Sequence, residues 1–177
     1  MISNGKFYES QFEEATIELL REAHWQYAFG DDIHRKYTDP LIEEELRNFL
    51  TVQYKDKNLT TSEMDSIVAN LRNTGGQNDY YALRNAFLLY RDGYDFAYSD
   101  GRDNPFRLEY IDFEHPDHNI FRCVNQFVME QGRENRRPDI LLFINGIPVC
   151  IIELKNPTKQ NATIHDAHTQ ICTRYMR

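Results

Sequence analysis

With 177 residues, 41% of them hydrophobic, the chain is long enough for one domain with a core, and no apolar run approaches the roughly 18 residues of a membrane-spanning helix. The start lacks the apolar stretch of a signal peptide, and three cysteines without CxxC spacing (Cys123, Cys150, Cys172) predict reduced thiols and a cytoplasmic location. The net charge of −8 argues against nucleic acid as a partner, yet Arg133–Arg177 holds seven Lys/Arg against four Asp/Glu, a local +3 that fits phosphate contact.

In chain order, residues 1–8 are expected to be loose. A helix is predicted from about Ser10 to His24, with Phe12, Ala15, Thr16, Leu19, Leu20 and Ala23 on one face and Glu13, Glu14, Glu18 and Glu22 on others. Trp25–Phe29 reads as a short extended piece ending at Gly30. Asp39 as cap and Pro40 at the first helical position predict a second helix running to about Val52. Thr60-x-x-Glu63 is the spacing of a capping box, opening a third helix that runs to about Arg72. Gly75-Gly76 breaks the chain, and a fourth helix is expected over Asp79–Asp92, stopped by Gly93. These helices carry no recognisable chemistry, and about 39–92 reads as an inserted helical subdomain.

Strands are expected at Tyr94–Tyr98, Phe106–Phe113 and Ile120–Met129, with Glu114–Asn119 as the turn between the last two. His115 and His118 fall in that turn with no evident third ligand, which argues against zinc. Gln131–Arg137 reads as a polar connector. Cys150, inside an apolar strand, is expected to be a small core residue. After the Asn156-Pro157 stop, an amphipathic helix is predicted over Thr163–Arg177, with His165 and His168 on its surface.

The chemistry concentrates in Arg136–Lys155, two apolar strands joined at Asn145-Gly146. Among residues made for burial stand three that are not: Asp139, Glu153 and Lys155. Glu153 and Lys155 share a face by the period-two rule. Two carboxylates suit Mg²⁺, which prefers oxygen ligands and keeps several waters, and a lysine beside them can hold or deprotonate a water. The register must bring Asp139 and Glu153 to one face. A two-residue loop opposes Asp139 to Ile152 and separates them, so a three-residue loop, Ile144-Asn145-Gly146, is expected; a bulge elsewhere, at Pro148 for example, restores the same parity.

Pro138-Asp139 followed by Glu153-Leu154-Lys155 resembles the PD-(D/E)xK nuclease motif. The longer run RRPDILLFINGIPVCIIELKNP is similar to the N-terminal nuclease domain of the R subunit of type I restriction–modification enzymes. The resemblance covers mainly residues 105–177, the expected catalytic core, with an echo at 7–30. It implies an α/β, restriction-endonuclease-like mixed sheet flanked by helices, and a single nuclease domain over 1–177 with the helical insertion. It implies catalysis by Asp139, Glu153, Lys155 and Gln170, with Asp139 and Glu153 holding Mg²⁺. A further first-helix carboxylate, Glu14 or Glu13, is expected, and Arg136, Arg137 and Lys159 are candidate DNA contacts. The family spaces its later pair Gln-x-x-x-Tyr, whereas four residues separate Gln170 from Tyr175 here, which weakens the assignment of Tyr175. Double-stranded DNA and the modification and specificity subunits are the implied partners. No phosphate-binding loop is present, so the family's ATP-binding motor domains are expected to lie outside this sequence. The rival readings are a nuclease of the same fold in another DNA-processing pathway and a non-catalytic docking module.

Overall fold

Five helical patterns and a set of short apolar runs become, in a computed structural model describing residues 9–131, 134–155 and 164–174, a mixed α/β structure. In chain order the elements are α1 (Glu9–Glu22), β1 (Gln26–Phe29), α2 (Glu43–Gln53), α3 (Thr61–Arg72), α4 (Asp79–Asp92), β2 (Tyr94–Phe96), β3 (Phe106–Leu108), β4 (Phe121–Asn125), β5 (Met129–Gln131), β6 (Glu134–Arg136), β7 (Ile140–Ile144), β8 (Ile147–Ile152) and α5 (Ile164–Arg174). They fall into two compact units, one from Met1–Pro40, Phe121–Phe143 and Ile147–Arg177, the other from Leu41–Ile120 and Ile144–Gly146.

The first unit is built on a four-stranded sheet of order β1-β4-β7-β8. β1 and β4 are parallel, from Gln26 opposite Arg122 to Phe29 opposite Asn125. The Asn145 N–H donates to the Ile120 carbonyl at 2.8 Å. The end of β7 therefore lies beside the start of β4, the two run antiparallel, and the sheet is mixed. Cys123, Val124, Phe127, Ile140, Leu141, Phe143 and Ile147 form its buried core. The Arg35 guanidinium lies 3.4 Å over the Phe127 ring and donates to the carbonyls of Lys36, Asp39 and Val128, tying the β1–α2 connection to the segment after β4. Burial holds this guanidinium below its usual pKa.

Several expectations change in this unit. On α1, Phe12, Thr16 and Leu20 are half-buried as predicted, but Ala15, Leu19 and Ala23 are exposed. The strand expected over Ile120–Met129 breaks at Gln126, whose φ of 56° is left-handed. A Cβ on Gly30 would lie 2.4 Å from the Gln126 carbonyl oxygen, so the bend and the glycine fit each other. Beyond it, β5 and β6 pair antiparallel where a connector was expected. Cys150 is exposed rather than in the core, because β8 is an edge strand of the described sheet.

The second unit holds α2, α3, α4 and the antiparallel pair β2–β3. Its core includes Leu46, Leu50, Ile67, Val68, Leu108 and Tyr110, all at or near zero exposure. The Thr60–Glu63 capping box forms in full, and Gly93 ends α4 with a φ of 63°. Helix α2 starts at Glu43 instead of after Asp39. Leu41 and Ile42 are buried, and the Ile42 N–H is used on the Gly146 carbonyl at 2.9 Å, so these residues serve a distant contact before the helix begins.

The β7–β8 turn is tight. Ile144 and Ile147 are both strand, and Asn145 and Gly146 have φ values of 52° and 74°, the two positive angles of a type I′ turn. The expected three-residue loop is not formed. Asn145 is fully buried: its Oδ1 accepts from Ile120 N (2.7 Å) and its Nδ2 donates to Tyr110 O (2.9 Å) and to Asn119 Oδ1 (2.8 Å).

Candidate active site

β7 starts just after Asp139 and β8 ends just before Glu153, so the antiparallel hairpin carries both residues to the same end of the sheet. The Leu154 N–H donates to Asp139 Oδ2 at 2.7 Å. The Asp139 carboxylate thus meets the peptide that joins Glu153 to Lys155. The Glu153 side chain is only 1% exposed, and the Lys155 ammonium, on a side chain 26% exposed, lies 4.0 Å from its Oε2. A buried carboxylate is costly to ionise without such a partner.

A regular two-residue hairpin would turn Glu153 to the face opposite Asp139. β8 is not regular. Val149 and Cys150 are consecutive and both exposed, which breaks the in–out alternation between them. The Leu154 N–H bond nevertheless sets the Asp139 carboxylate against the Glu153–Lys155 stretch.

The same end of the sheet receives a side chain from α1. Glu13 Oε1 accepts from Asn125 Nδ2 (2.8 Å) and Gln126 Nε2 (3.3 Å), at the end of β4. Tyr27 OH donates to Asn125 Oδ1 at 2.9 Å, and burial, then the Glu13 carboxylate, push this phenol above its ordinary pKa. Glu13 is half-buried and Glu14 exposed, so of the two first-helix carboxylates considered, Glu13 is the one held against the sheet. Sequence reasoning had no means to separate neighbours 100° apart on a helix until the packed face was known.

Of the other candidates, Arg136 is half-buried in β6 and Arg137 exposed. Arg136 also lines a cleft of about 770 Å³ with Tyr37, Met129, Leu141, Val149 and Cys150. Gln170 lies on α5. Its side chain, Lys159 and Tyr175 lie outside the described residues. The donor set of Asp139 and Glu153 is two hard carboxylates with a lysine alongside, which fits a hard divalent ion such as Mg²⁺ and not a soft one. No helix among the described residues is long and apolar enough to cross a membrane.

Residues 6–177 match the family described as type I restriction enzyme R protein N terminus. The chain is 28% identical over 175 residues to the type I restriction enzyme HindI endonuclease subunit of Haemophilus influenzae, across 93% of this chain and 16% of that protein. It is 29% identical over 163 residues to a Methanocaldococcus jannaschii protein provisionally described as the type I restriction enzyme MjaIXP endonuclease subunit, across 88% of this chain and 16% of that protein. The chain therefore spans a small part of the length of these relatives.

Proposed function

Because the chain belongs to the family of type I restriction enzyme R protein N termini, we propose that it is the nuclease domain of such a subunit, with a PD-(D/E)xK fold, hydrolysing phosphodiester bonds of double-stranded DNA with Mg²⁺. The observation that carries this reading is the Asp139–Leu154 hydrogen bond, which sets one carboxylate against the peptide linking Glu153 to Lys155. Asp139 and Glu153 would hold the metal, which when bound polarises a phosphate and lowers the pKa of a bound water.

The chain's own groups divide the remaining work. The Leu154 N–H fixes the rotamer of Asp139, so the carboxylate is oriented before any ligand arrives. Lys155, beside Glu153, positions the attacking water and stabilises negative charge as it develops on the phosphate. Glu13, held by Asn125 and Gln126, supplies a further acceptor at this end of the sheet. Gln170 orients Lys155 or contacts the DNA backbone. Arg136, Arg137 and Lys159 hold phosphates and give affinity without reading sequence.

In this reading modification and specificity subunits supply site recognition, ATP is used by motor domains outside residues 1–177, and the assembly works in the cytoplasm. Plasmid cleavage by the assembled enzyme tests the reading. Asp139→Ala or Lys155→Ala should abolish cutting and leave ATP hydrolysis by the complete subunit intact. Near-normal cutting by either variant would show that the site is wrongly assigned.

A further inference from the structure

The turn that follows β3 gathers a second set of donor groups, away from Asp139 and Glu153 in sequence and wholly within the second unit. Asp112 is 4% exposed, and its neighbours fix it closely. Asn119 closes the turn on the Asp112 backbone, its Oδ1 accepting from Asp112 N (2.9 Å) and its Nδ2 donating to Asp112 O (2.7 Å). Asp112 Oδ1 accepts the N–H groups of Glu114 (3.1 Å) and His115 (2.8 Å), and Oδ2 accepts from Gln53 Nε2 (3.0 Å). Oδ2 is thereby presented to two imidazoles, with His118 Nδ1 at 3.0 Å and His115 Nδ1 at 3.6 Å. The two rings stack, with centroids 4.9 Å apart and planes 17° from parallel.

We propose that Asp112, His115 and His118 form a binding site for a divalent transition metal of the zinc class. One donor atom from each residue lies within 4.8 Å of the others. In a tetrahedral site with bonds of about 2.0–2.1 Å, adjacent donors stand roughly 3.4 Å apart. The two distances to Oδ2 fall on either side of that value. A divalent ion would draw the carboxylate and both imidazole nitrogens to one centre once one of the exposed, nearly parallel rings turns, because imidazole lone pairs lie in the ring plane. Two imidazoles and a carboxylate suit zinc, and the histidine side chains, 60% and 52% exposed, leave the fourth position to water. The ion would fasten the Asp112–Asn119 turn, whose Asn119 holds Asn145 at the tip of the β7–β8 hairpin.

The test is calorimetric titration of the chelator-treated chain with Zn²⁺ alone, with circular dichroism of each metal-free variant as a check on folding. His115→Gln and His118→Gln both change exposed side chains. Each removes a proposed ligand and is expected to weaken binding by at least the roughly 10–100-fold that loss of an outer-shell partner costs, while His168→Gln on α5 leaves the tight site unchanged. Saturable 1:1 binding that both turn variants weaken supports the site. No saturable binding, or unchanged affinity in either turn variant, overturns it.

Discussion

Leu154 N–H donates to Asp139 Oδ2 across 2.7 Å, and this bond joins the end of one strand to the start of its neighbour. An asparagine at 139 can still accept that hydrogen bond through its side-chain oxygen but brings no charge. Asp139→Asn is therefore expected to leave the unfolding midpoint nearly unchanged and lower DNA cleavage by the assembled enzyme on the order of 100-fold or more. Asp139→Ala should lose cleavage and also about 1 kcal/mol of stability with the hydrogen bond. Urea unfolding of the two variants beside a plasmid assay separates the roles.

Lys155 has a structural duty as well as its proposed chemical one, because the neighbouring Glu153 side chain is 1% exposed. Removing the ammonium in Lys155→Met should lower the thermal midpoint, since a buried carboxylate loses a cationic partner. Adding Glu153→Gln should recover stability but not cutting. Recovery of cutting in the double variant would show that neither charge takes part in the reaction.

The turn at Asn145-Gly146 admits few substitutions. A Cβ at 146 would stand 2.2 Å from the Ile42 carbonyl oxygen, at a φ of 74° that side chains rarely adopt. Gly146→Ala is expected to cost roughly 2 kcal/mol or more, combining backbone strain with displacement of Ile42. Denaturant titration checks this.

Acid should act in part through Glu63. Arg102 and the Thr60 N–H hold its carboxyl down at about 2, against an ordinary value near 4.5. A depressed carboxyl stabilises the fold fully above its unfolded pKa, and that contribution disappears as pH falls from about 5 toward 2. Unfolding midpoints measured between pH 7 and pH 3 should drop less steeply for Glu63→Gln than for the parent chain.

The isolated chain is expected to cut DNA weakly. Its net charge is −8, and the basic excess between Arg133 and Arg177 is only +3. Binding to duplex DNA should be weak and fall further with salt. Vigorous Mg²⁺-dependent cutting by residues 1–177 at physiological salt would overturn this.

What could be read from the residues alone was local. The Thr60–Glu63 box and the Gly93 stop rest on contacts a few residues apart, and both appear as expected. Features that depend on distant partners were not legible. Helix α2 begins late, after an Ile42 N-cap whose ψ of 80° is not helical and whose N–H bonds the Gly146 carbonyl. Cys150 is exposed because nothing pairs beyond β8 among the described strands. The hairpin turn is tighter than the chemistry suggested, because Asn145 and Gly146 both take positive φ. At the candidate site, pairing of the Asp139 and Glu153-x-Lys155 segments followed from the antiparallel hairpin. The choice of Glu13 over Glu14 needed the packing of α1, whereas Asp112, three residues before His115, was legible in the spacing but not read as a partner of the two histidines.

The buried Asn145 also keeps time. An asparagine followed by glycine loses its amide readily when the glycine nitrogen can swing onto the side-chain carbonyl, closing a five-membered imide. In the folded chain that carbonyl is occupied by Ile120 N and the amide nitrogen by Tyr110 and Asn119, so the attack has no room to occur. The same dipeptide in an opened turn is under no such restraint. Aspartate and isoaspartate accumulating at 145 would therefore count the moments at which this hairpin tip comes undone, and each conversion would put a charge where a neutral amide had been clasped.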